Sequence, residues 1–333
     1  MKSCFRYLLF LLPAFVFNSC SNEIEVLADY EENAAIYALL DPYQSLQFVK
    51  INKVFTNPSS KASDVAKIAD SLYFDSIAPM LVELDNGSVR RSIPLYKANI
   101  LLKDSGLFAN SPNYLYVTNE QIFPQFNYRL DLRLPKSNKY VTATTNMVRG
   151  IGTFFQPVSL GQRVFSIPPT GSIQILFNTG TNGKIYDAYF NFNYLEINKA
   201  DTSIRTTKTI RWKILRSFRA ISDKVSESVI QRIPSLSFYS LLINEIPVDL
   251  TVTRRFLPCS VEFIGGNLEL DNYIEASTPS IGIVQKQTDY TNIVNGIGLF
   301  GARSTLFIDQ VQLALPSKTT IINDMPYRAL DFK

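Results

Sequence analysis

The chain of 333 residues contains no histidine and only three cysteines. Without imidazole the commonest general base and the commonest zinc ligand are missing, and every catalytic triad that depends on histidine is excluded. Cys4 and Cys20 lie near the amino terminus, which leaves Cys259 alone in the rest of the chain. Thiolate metal sites are therefore excluded too, and we expect Cys259 to be a small buried hydrophobe. An enzyme of this composition would have to use carboxylates, lysine, tyrosine, or a hard cation held by oxygens.

Long apolar runs are also missing. The longest run near the amino terminus, from Tyr7 to Phe17, is shorter than the roughly 20 residues that a bilayer-spanning helix needs. It follows the basic residues Lys2 and Arg6 and precedes small or polar residues. A basic start, an apolar centre of about ten residues and small residues at the cleavage point predict a secretory signal peptide over residues 1–19.

Cys20 follows this run directly, and the segment FNSC at 17–20 is similar to a bacterial lipobox, although leucine is preferred at its first position. In such lipoproteins the cysteine sulfur carries a diacylglycerol and the new amino group is usually acylated. Stable anchoring needs two signals of this kind, because one acyl chain binds only marginally. Lipidation at Cys20 is therefore predicted. The alternative is an ordinary secreted protein in which Cys20 has no special role.

The charge of the predicted mature chain is close to neutral. The chain has 33 basic residues, and without Lys2 and Arg6 it keeps 31 against 29 acidic ones. A net charge of about +2 gives no general attraction to nucleic acid or anionic lipid, so no nucleic-acid partner is expected. The predicted contact with the membrane is the lipid anchor alone.

The pattern along the chain predicts a mainly β fold. Residues 20–33 are predicted to be the acylated cysteine and an acidic tether, 34–149 a β-sandwich domain, and 150–333 a β-rich domain with two or three short helices. The boundary is placed near 149–152, where a strand ends in glycines. The residues DNG at 85–87 predict a hairpin with a type I′ turn between 79 and 95. Helices are predicted at 63–74, 222–233, 235–246 and 268–277.

Two features resemble functional motifs. The residues GIGLFG at 296–301 match the glycine spacing of a dinucleotide-binding loop, but that loop requires a strand before it and a helix after it. Here a polar stretch precedes and a strand follows, so a glycine-containing loop against the sheet is expected and no cofactor is predicted. Acids on or beside strands are candidates for glycoside hydrolysis, which needs two facing carboxyls. These acids are Asp187, Glu196, Glu262, Glu269 and Asp271.

Solvated strand faces explain these acids more simply, and no catalytic or metal-binding residue is predicted. Scattered tyrosines on strands are interpreted as core rather than as a binding surface. They are Tyr37, Tyr43, Tyr114, Tyr116, Tyr186 and Tyr189. The basic segments 211–219 and 254–258 are interpreted as solvated strand faces, with a partner-docking or phosphate-binding edge as the alternative.

Several segments together resemble a family of Bacteroidota outer-membrane lipoproteins of unknown function, often found beside TonB-dependent transporters. They are the lipobox with its acidic start, AAIYALLDP (34–42) with VKINKVF (49–55), AKIADSLYF (66–74), KDSGLFA (103–109), YRLDLRLP (128–135) with VTATTNMV (141–148), and YTNIVNGIGLFGAR (290–303). The resemblance implies an N-terminal sandwich of transthyretin or immunoglobulin type and no known catalytic residues.

The same resemblance implies two further features. The acids after Cys20, in SNEIE at 21–25, are similar to a tract that directs such lipoproteins to the cell surface. Ser71 and Ser76 lie in DSL and DSI, which match a three-residue O-glycosylation pattern of that phylum. The resulting hypotheses are a lipid-anchored binding module associated with a TonB-dependent transporter, a structural or adhesion lipoprotein of the outer membrane, and a carboxylate-based hydrolase.

Overall fold

The fold is mainly β, in several sheets with short helices, which confirms the predicted fold class. It was analysed in a computed structural model. The structure describes residues 32–54, 62–101, 109, 111–151, 163–278 and 289–333. Cys20 and most of the predicted tether lie outside these residues.

The largest sheet has ten strands, numbered here in chain order. Its main path, from one edge to the other, is β12 (Arg205–Arg219), β11 (Ile185–Asn198), β15 (Cys259–Gly266), β16 (Ile297–Leu313), β1 (Asn33–Leu40), β2 (Gln47–Val54), β6 (Leu115–Thr118) and β5 (Tyr96–Ala98). Off this path, β14 (Val252–Phe256) pairs with β11, and β9 (Val164–Phe165) pairs with β16.

Strands β1 and β16 join the two ends of the chain. They pair in parallel, with Ala35 opposite Ile297 and Leu40 opposite Ala302. The residues before and after the predicted boundary at 149–150 therefore contribute strands to one continuous sheet, and the division into two domains stays a prediction.

A second sheet of four strands faces the β1–β2 part of the large sheet. Its order is β4 (Ser88–Pro94), β3 (Met80–Asp85), β7 (Asn127–Arg133) and β8 (Tyr140–Asn146). Inward side chains of both sheets, such as Ile36, Val49, Leu130 and Val141, form one buried cluster. This is the sandwich arrangement predicted for the first half, because alternating apolar residues on both sheets cover each other.

The predicted hairpin is confirmed as β3 and β4. Asn86 and Gly87 both have positive φ, at 48° and 85°, as a type I′ turn requires.

The third sheet pairs β10 (Ser172–Asn178) with β13 (Ser228–Pro234) and covers the core of the second half. The helix predicted at 222–233 is wrong. Val225, Val229 and Ile233 have helical spacing, but pairing with β10 turns Val229 inward by strand alternation, as part of the core that contains Ile173 and Phe177.

The helices are short and lie at the periphery. They are α1 (Ala62–Val65), α2 (Ala69–Leu72), α3 (Leu236–Glu245), α4 (Leu268–Ser277) and α5 (Leu315–Asn323), followed by a 3-10 turn (Tyr327–Leu330). The predictions at 235–246 and 268–277 are confirmed. The helix predicted at 63–74 is two separate single turns, α1 and α2, and α5 was not predicted.

The glycine-rich segment 296–301 is not the loop that was expected. From Ile297 onward it is the first part of β16, the last strand of the large sheet in chain order. Backbone pairing with β1 stabilises this extended conformation despite the glycines.

The carboxyl end of the predicted tether contacts the rest of the protein. Glu32 is buried, and one of its carboxylate oxygens accepts hydrogen bonds from the backbone N–H groups of Lys136 and Ser137, at 3.0 and 2.7 Å, and from the Ser137 hydroxyl at 3.0 Å. The next residue, Asn33, belongs to β1. Glu32 therefore binds the β7–β8 turn directly before the first strand.

Candidate ligand-binding site

A cavity of about 320 Å³ opens where β1, α4 and the start of β16 meet. We call it the tyrosine cavity, since three of its walls are tyrosine side chains. Its lining residues are Tyr37, Tyr273, Ala276, Ser277, Asp289, Tyr290, Thr291, Ile297 and Gly298. A few polar groups among aromatic and apolar surfaces are typical of small-molecule sites.

Strand alternation places Tyr37 in this cavity. Its neighbours Ile36 and Ala38 point into the core, so Tyr37 points to the other face of β1 and is 44% exposed. There it meets Tyr273 of α4 edge to face, with ring centroids 6.1 Å apart and ring planes at 72°. The two rings form two nearly perpendicular walls.

Helix α4 is fixed in place at its amino-terminal end. The Asn267 side chain accepts a hydrogen bond from the Leu270 N–H at 3.2 Å and donates one to the Thr145 hydroxyl at 2.8 Å. One turn on, the buried carboxylate of Asp271 accepts a hydrogen bond from Arg219 Nε at 2.6 Å. The hydrogen bond between Asn267 and Leu270 is an N-cap. Together with the Asp271–Arg219 contact, it fixes α4 so that Tyr273 lies against Tyr37.

Gly298 leaves one wall of the cavity without a side chain. Its φ is +114°, and a Cβ built there would lie 2.1 Å from the Ile36 carbonyl oxygen. The parallel pairing of β1 and β16 brings the two backbones this close. Only glycine fits this position, which gives the glycine-rich segment a packing role.

Two of the cavity tyrosines have shifted acidities. Burial, followed by the charge and hydrogen bond of Tyr273, raises the pKa of Tyr37 above its ordinary value. Burial also raises the pKa of Tyr290, against the opposite effect of a hydrogen bond from Asn272. Both rings are therefore neutral phenols at neutral pH.

A second cavity, of about 380 Å³, lies between α3 and the β11–β12 end of the large sheet. It is lined by charges of both signs, among them Glu196, Lys208 and Glu245. Glu196 is already bound by the buried Arg254, whose Nη2 lies 2.9 Å from its carboxylate. The carboxylate of Glu196 is therefore engaged within the protein, and we do not assign this cavity a ligand.

The acids considered for hydrolysis mostly form ion pairs. Three of their cationic partners belong to the basic segment 211–219, which is thus a strand with ion pairs along it. The pairs are Asp187 with Lys213 (2.7 Å), Glu262 with Arg211 (2.5 Å), Asp271 with Arg219 (2.6 Å) and Glu196 with Arg254 (2.9 Å). Glu269 differs, because burial raises the pKa of its carboxyl and nearby Asp223 raises it further.

The two serines predicted as glycosylation sites differ in access. Ser71 is half-buried, and its hydroxyl is within 2.6 Å of the backbone oxygens of both Val65 and Ile68, to which it can donate. Ser76 is exposed in the bend after α2. Modification of either serine stays a prediction, and Ser76 is the more accessible of the two.

Cys259 is fully buried, as predicted. Burial raises the pKa of its thiol to about 11. The thiol is therefore a packing group within the core rather than a nucleophile at the surface.

The assignment of the scattered tyrosines to the core is partly wrong. Tyr116 and Tyr186 are buried, as predicted, but Tyr37 and Tyr43 are 44% and 63% exposed. Tyr273 and Tyr290 were not singled out at all. They lie on a helix and in an irregular segment, where strand alternation gives no information about their direction.

Within the described ranges, no group of three or more histidine, cysteine, aspartate or glutamate residues could hold a metal ion. In the same part of the chain, no helix is both long enough and apolar enough to cross a membrane.

No protein-family model matches the sequence, and no curated protein is significantly similar to it. The resemblance to Bacteroidota lipoproteins therefore stays a prediction.

Proposed function

We propose that this protein is a lipid-anchored, non-enzymatic binding module of the cell envelope that holds a small ligand in the tyrosine cavity. The observation that carries the proposal is the cavity itself, in which Tyr37, Tyr273 and Tyr290 surround a space of about 320 Å³. Aromatic walls supply a large contact area, and the tyrosine hydroxyls supply hydrogen bonds.

The construction of the cavity supports binding. Six of its nine lining residues come from β1, α4 and β16, which are held by backbone pairing, a helix cap and the ion pair of the buried Asp271, and the other three come from the irregular segment 289–291. Walls of this kind are set before a ligand arrives, so little conformational entropy is lost on binding.

The amino-terminal sequence supports the location. Cys20 lies 12 positions before Glu32, which is bound to the β7–β8 turn. An acylated Cys20 would hold this body at a membrane surface by a short tether. We place the anchor in the outer membrane, facing the cell surface, where the protein would help a TonB-dependent transporter to capture or retain a nutrient.

The ligand part of the proposal is tested by thermal-shift screening of the mature protein against glycans, peptides, metallophores and small organic ions. A saturable stabilisation that is lost in Tyr273→Leu and kept in Tyr96→Leu, a substitution of an exposed tyrosine on β5, is expected. If no compound stabilises the protein, a structural or adhesion role replaces the binding role.

The partner is tested separately by affinity purification from native membranes solubilised in mild detergent. Recovery of a TonB-dependent transporter with the wild-type protein, and its loss with the anchor-deficient Cys20→Ser variant, is expected. Purification of wild-type protein with no transporter in several detergents would remove the accessory role.

A further inference from the structure

The charge balance of the tyrosine cavity is one-sided. Among the nine lining residues that the structure describes, Asp289 is the only charged side chain, and none of the nine is lysine or arginine. An anionic ligand would meet a carboxylate and the negative faces of aromatic rings, which both repel it. A ligand with positive charge would be attracted by both.

The ring geometry also suits a cation. Tyr37 and Tyr273 stand at 72° to each other, so their planes form a corner, and Tyr290 adds a third ring to the same cavity. Aromatic side chains arranged around a common space are the usual recognition device for quaternary ammonium groups, which sit within about 6 Å of the ring centroids.

Elsewhere in the protein, lysine and arginine side chains already make cation–π contacts with tyrosine rings. Lys97 Nζ lies 4.3 Å from the ring centroid of Tyr114, and the Arg211 guanidinium lies 3.5 Å from that of Tyr189. In the part of the chain that the structure describes, no lysine or arginine covers the rings of Tyr37, Tyr273 or Tyr290 in this way. These three rings leave space for a cation from outside the protein.

We infer that the tyrosine cavity binds an organic ammonium cation, with the charged nitrogen among the three tyrosine rings and Asp289 as its counter-ion. The inference rests on the proposed function, because it names the ligand class of the same cavity. Serine and threonine hydroxyls at Ser277 and Thr291 would accept or donate hydrogen bonds to polar groups next to the nitrogen.

The test compares two probes of the same shape by isothermal titration calorimetry on the full-length mature protein in detergent. Choline carries the quaternary nitrogen, and 3,3-dimethylbutan-1-ol has a carbon in its place. We expect saturable choline binding that is at least about 10-fold tighter than that of the neutral alcohol, because the alcohol lacks the cation–π and ionic attraction.

Variants locate the site. Tyr273→Leu is expected to weaken choline binding by about 3- to 30-fold, whereas Tyr273→Phe keeps the ring and most of the affinity. Asp289→Asn is expected to weaken binding and reduce its dependence on salt. Tyr96→Leu on β5 and Asp309→Asn near the other end of β16 are the matched controls, which should bind choline as the wild type does.

The inference would be overturned if choline and its neutral isostere bound equally well. It would also be overturned if choline binding were unchanged in both Tyr273→Leu and Asp289→Asn. Absence of choline binding would overturn it as well. If a neutral compound binds through Tyr273 while choline does not, only the ligand class is wrong and the binding function stands. If no compound of any class binds, the proposed function fails too. Circular dichroism melts of each variant confirm that the compared proteins are folded.

Discussion

The backbone of Gly298 runs so close to Ile36 that a single added carbon at Gly298 would lie 2.1 Å from the Ile36 carbonyl oxygen. This contact joins the last long strand to the first strand, and it lies beside the tyrosine cavity. Because the backbones approach this closely and φ is +114°, any substitution of Gly298 should destabilise the fold.

Gly298→Ala should therefore be strongly destabilising. The positive φ costs about 1–2 kcal/mol for a residue with a Cβ, and the forced displacement of β1 adds about 1–3 kcal/mol. Gly87→Ala is the matched control, since Gly87 also has positive φ but open space around the new Cβ. Urea denaturation followed by circular dichroism should show the smaller, conformational loss alone for Gly87→Ala. Equal losses for the two variants would mean that the contact with Ile36 is unimportant.

The buried carboxylate of Glu83 provides a second prediction. It lies 2.7 Å from Arg90 and 3.0 Å from Arg91, and it accepts a hydrogen bond from the Tyr128 hydroxyl at 2.7 Å. Glu83→Gln leaves two partly exposed arginines facing a neutral amide and should lower the free energy of unfolding by about 1–3 kcal/mol, the loss expected for hydrogen bonds to a charged group.

Glu120→Gln is the control for Glu83→Gln, because Glu120 also binds Arg91 at 3.0 Å but has an exposed side chain. An exposed ion pair contributes only about 0–1 kcal/mol. Thermal melts of both variants measure the difference. A loss for Glu83→Gln as small as that for Glu120→Gln would show that Glu83 is replaceable.

Glu83 also predicts how stability changes with acid. Burial by itself would raise its pKa, but hydrogen bonds from Arg91 and Tyr128 and the charge of Arg91 outweigh burial, so the pKa of Glu83 is lower than usual. The unfolded chain then binds a proton more readily than the folded chain. The stabilisation is present above the unfolded value of about 4.3 and is lost as the pH falls through the lower folded value.

Denaturation curves at pH values between 7 and 3 check this. The free energy of unfolding of the wild type should fall below about pH 4.3, and Glu83→Gln should fall less steeply, because one linked carboxyl is gone. Glu120→Gln should keep nearly the wild-type slope. If Glu83→Gln keeps that slope too, other acidic side chains control the loss of stability at low pH. Asp131 is the next candidate, because its pKa is also lowered: hydrogen bonds from Arg129 and neighbouring side chains outweigh the effect of burial.

The number of thiols that react with a reagent tests both the predicted lipidation of Cys20 and the burial of Cys259. Burial raises the pKa of Cys259 to about 11, so the native mature protein should not react with a thiol reagent at pH 8. If the protein is the proposed lipoprotein, it should show one thiol per chain after denaturation, because Cys4 would leave with the signal peptide and the Cys20 sulfur would carry the diacylglycerol. Two thiols would contradict lipidation. Denatured Cys259→Ala should show none and serves as the blank.

Local features were predictable from the sequence because their cause is local. The Asn86-Gly87 turn requires positive φ at both residues, and the flanking strands follow from alternation. Helix α4 was predicted within its correct bounds, and Asn267 caps it. The burial of Cys259 was expected because the rest of the chain offers it no histidine or second cysteine with which to form a metal site.

Features that depend on distant partners were not predictable in the same way. Residues 228–233 adopt a strand because β10 lies beside them, although Val225, Val229 and Ile233 have helical spacing. The tyrosine cavity arises because β1 pairs with β16, a contact between the two ends of the chain. Neither Tyr37 nor Tyr273 carries a signal in its own neighbourhood that the other ring lies 6.1 Å away.

The position of Glu32 has a mechanical consequence for an anchored protein. In the proposed anchored protein, tension from the membrane would reach Glu32 and then act along the axis of β1, which begins at Asn33. This strand lies between β2 and β16 and is hydrogen-bonded to both. Pulling along its axis loads the hydrogen bonds of two ladders at the same time instead of opening them one by one. In the proposed anchored protein, a pull on the amino terminus would therefore act on an interior strand of the large sheet rather than on an edge strand.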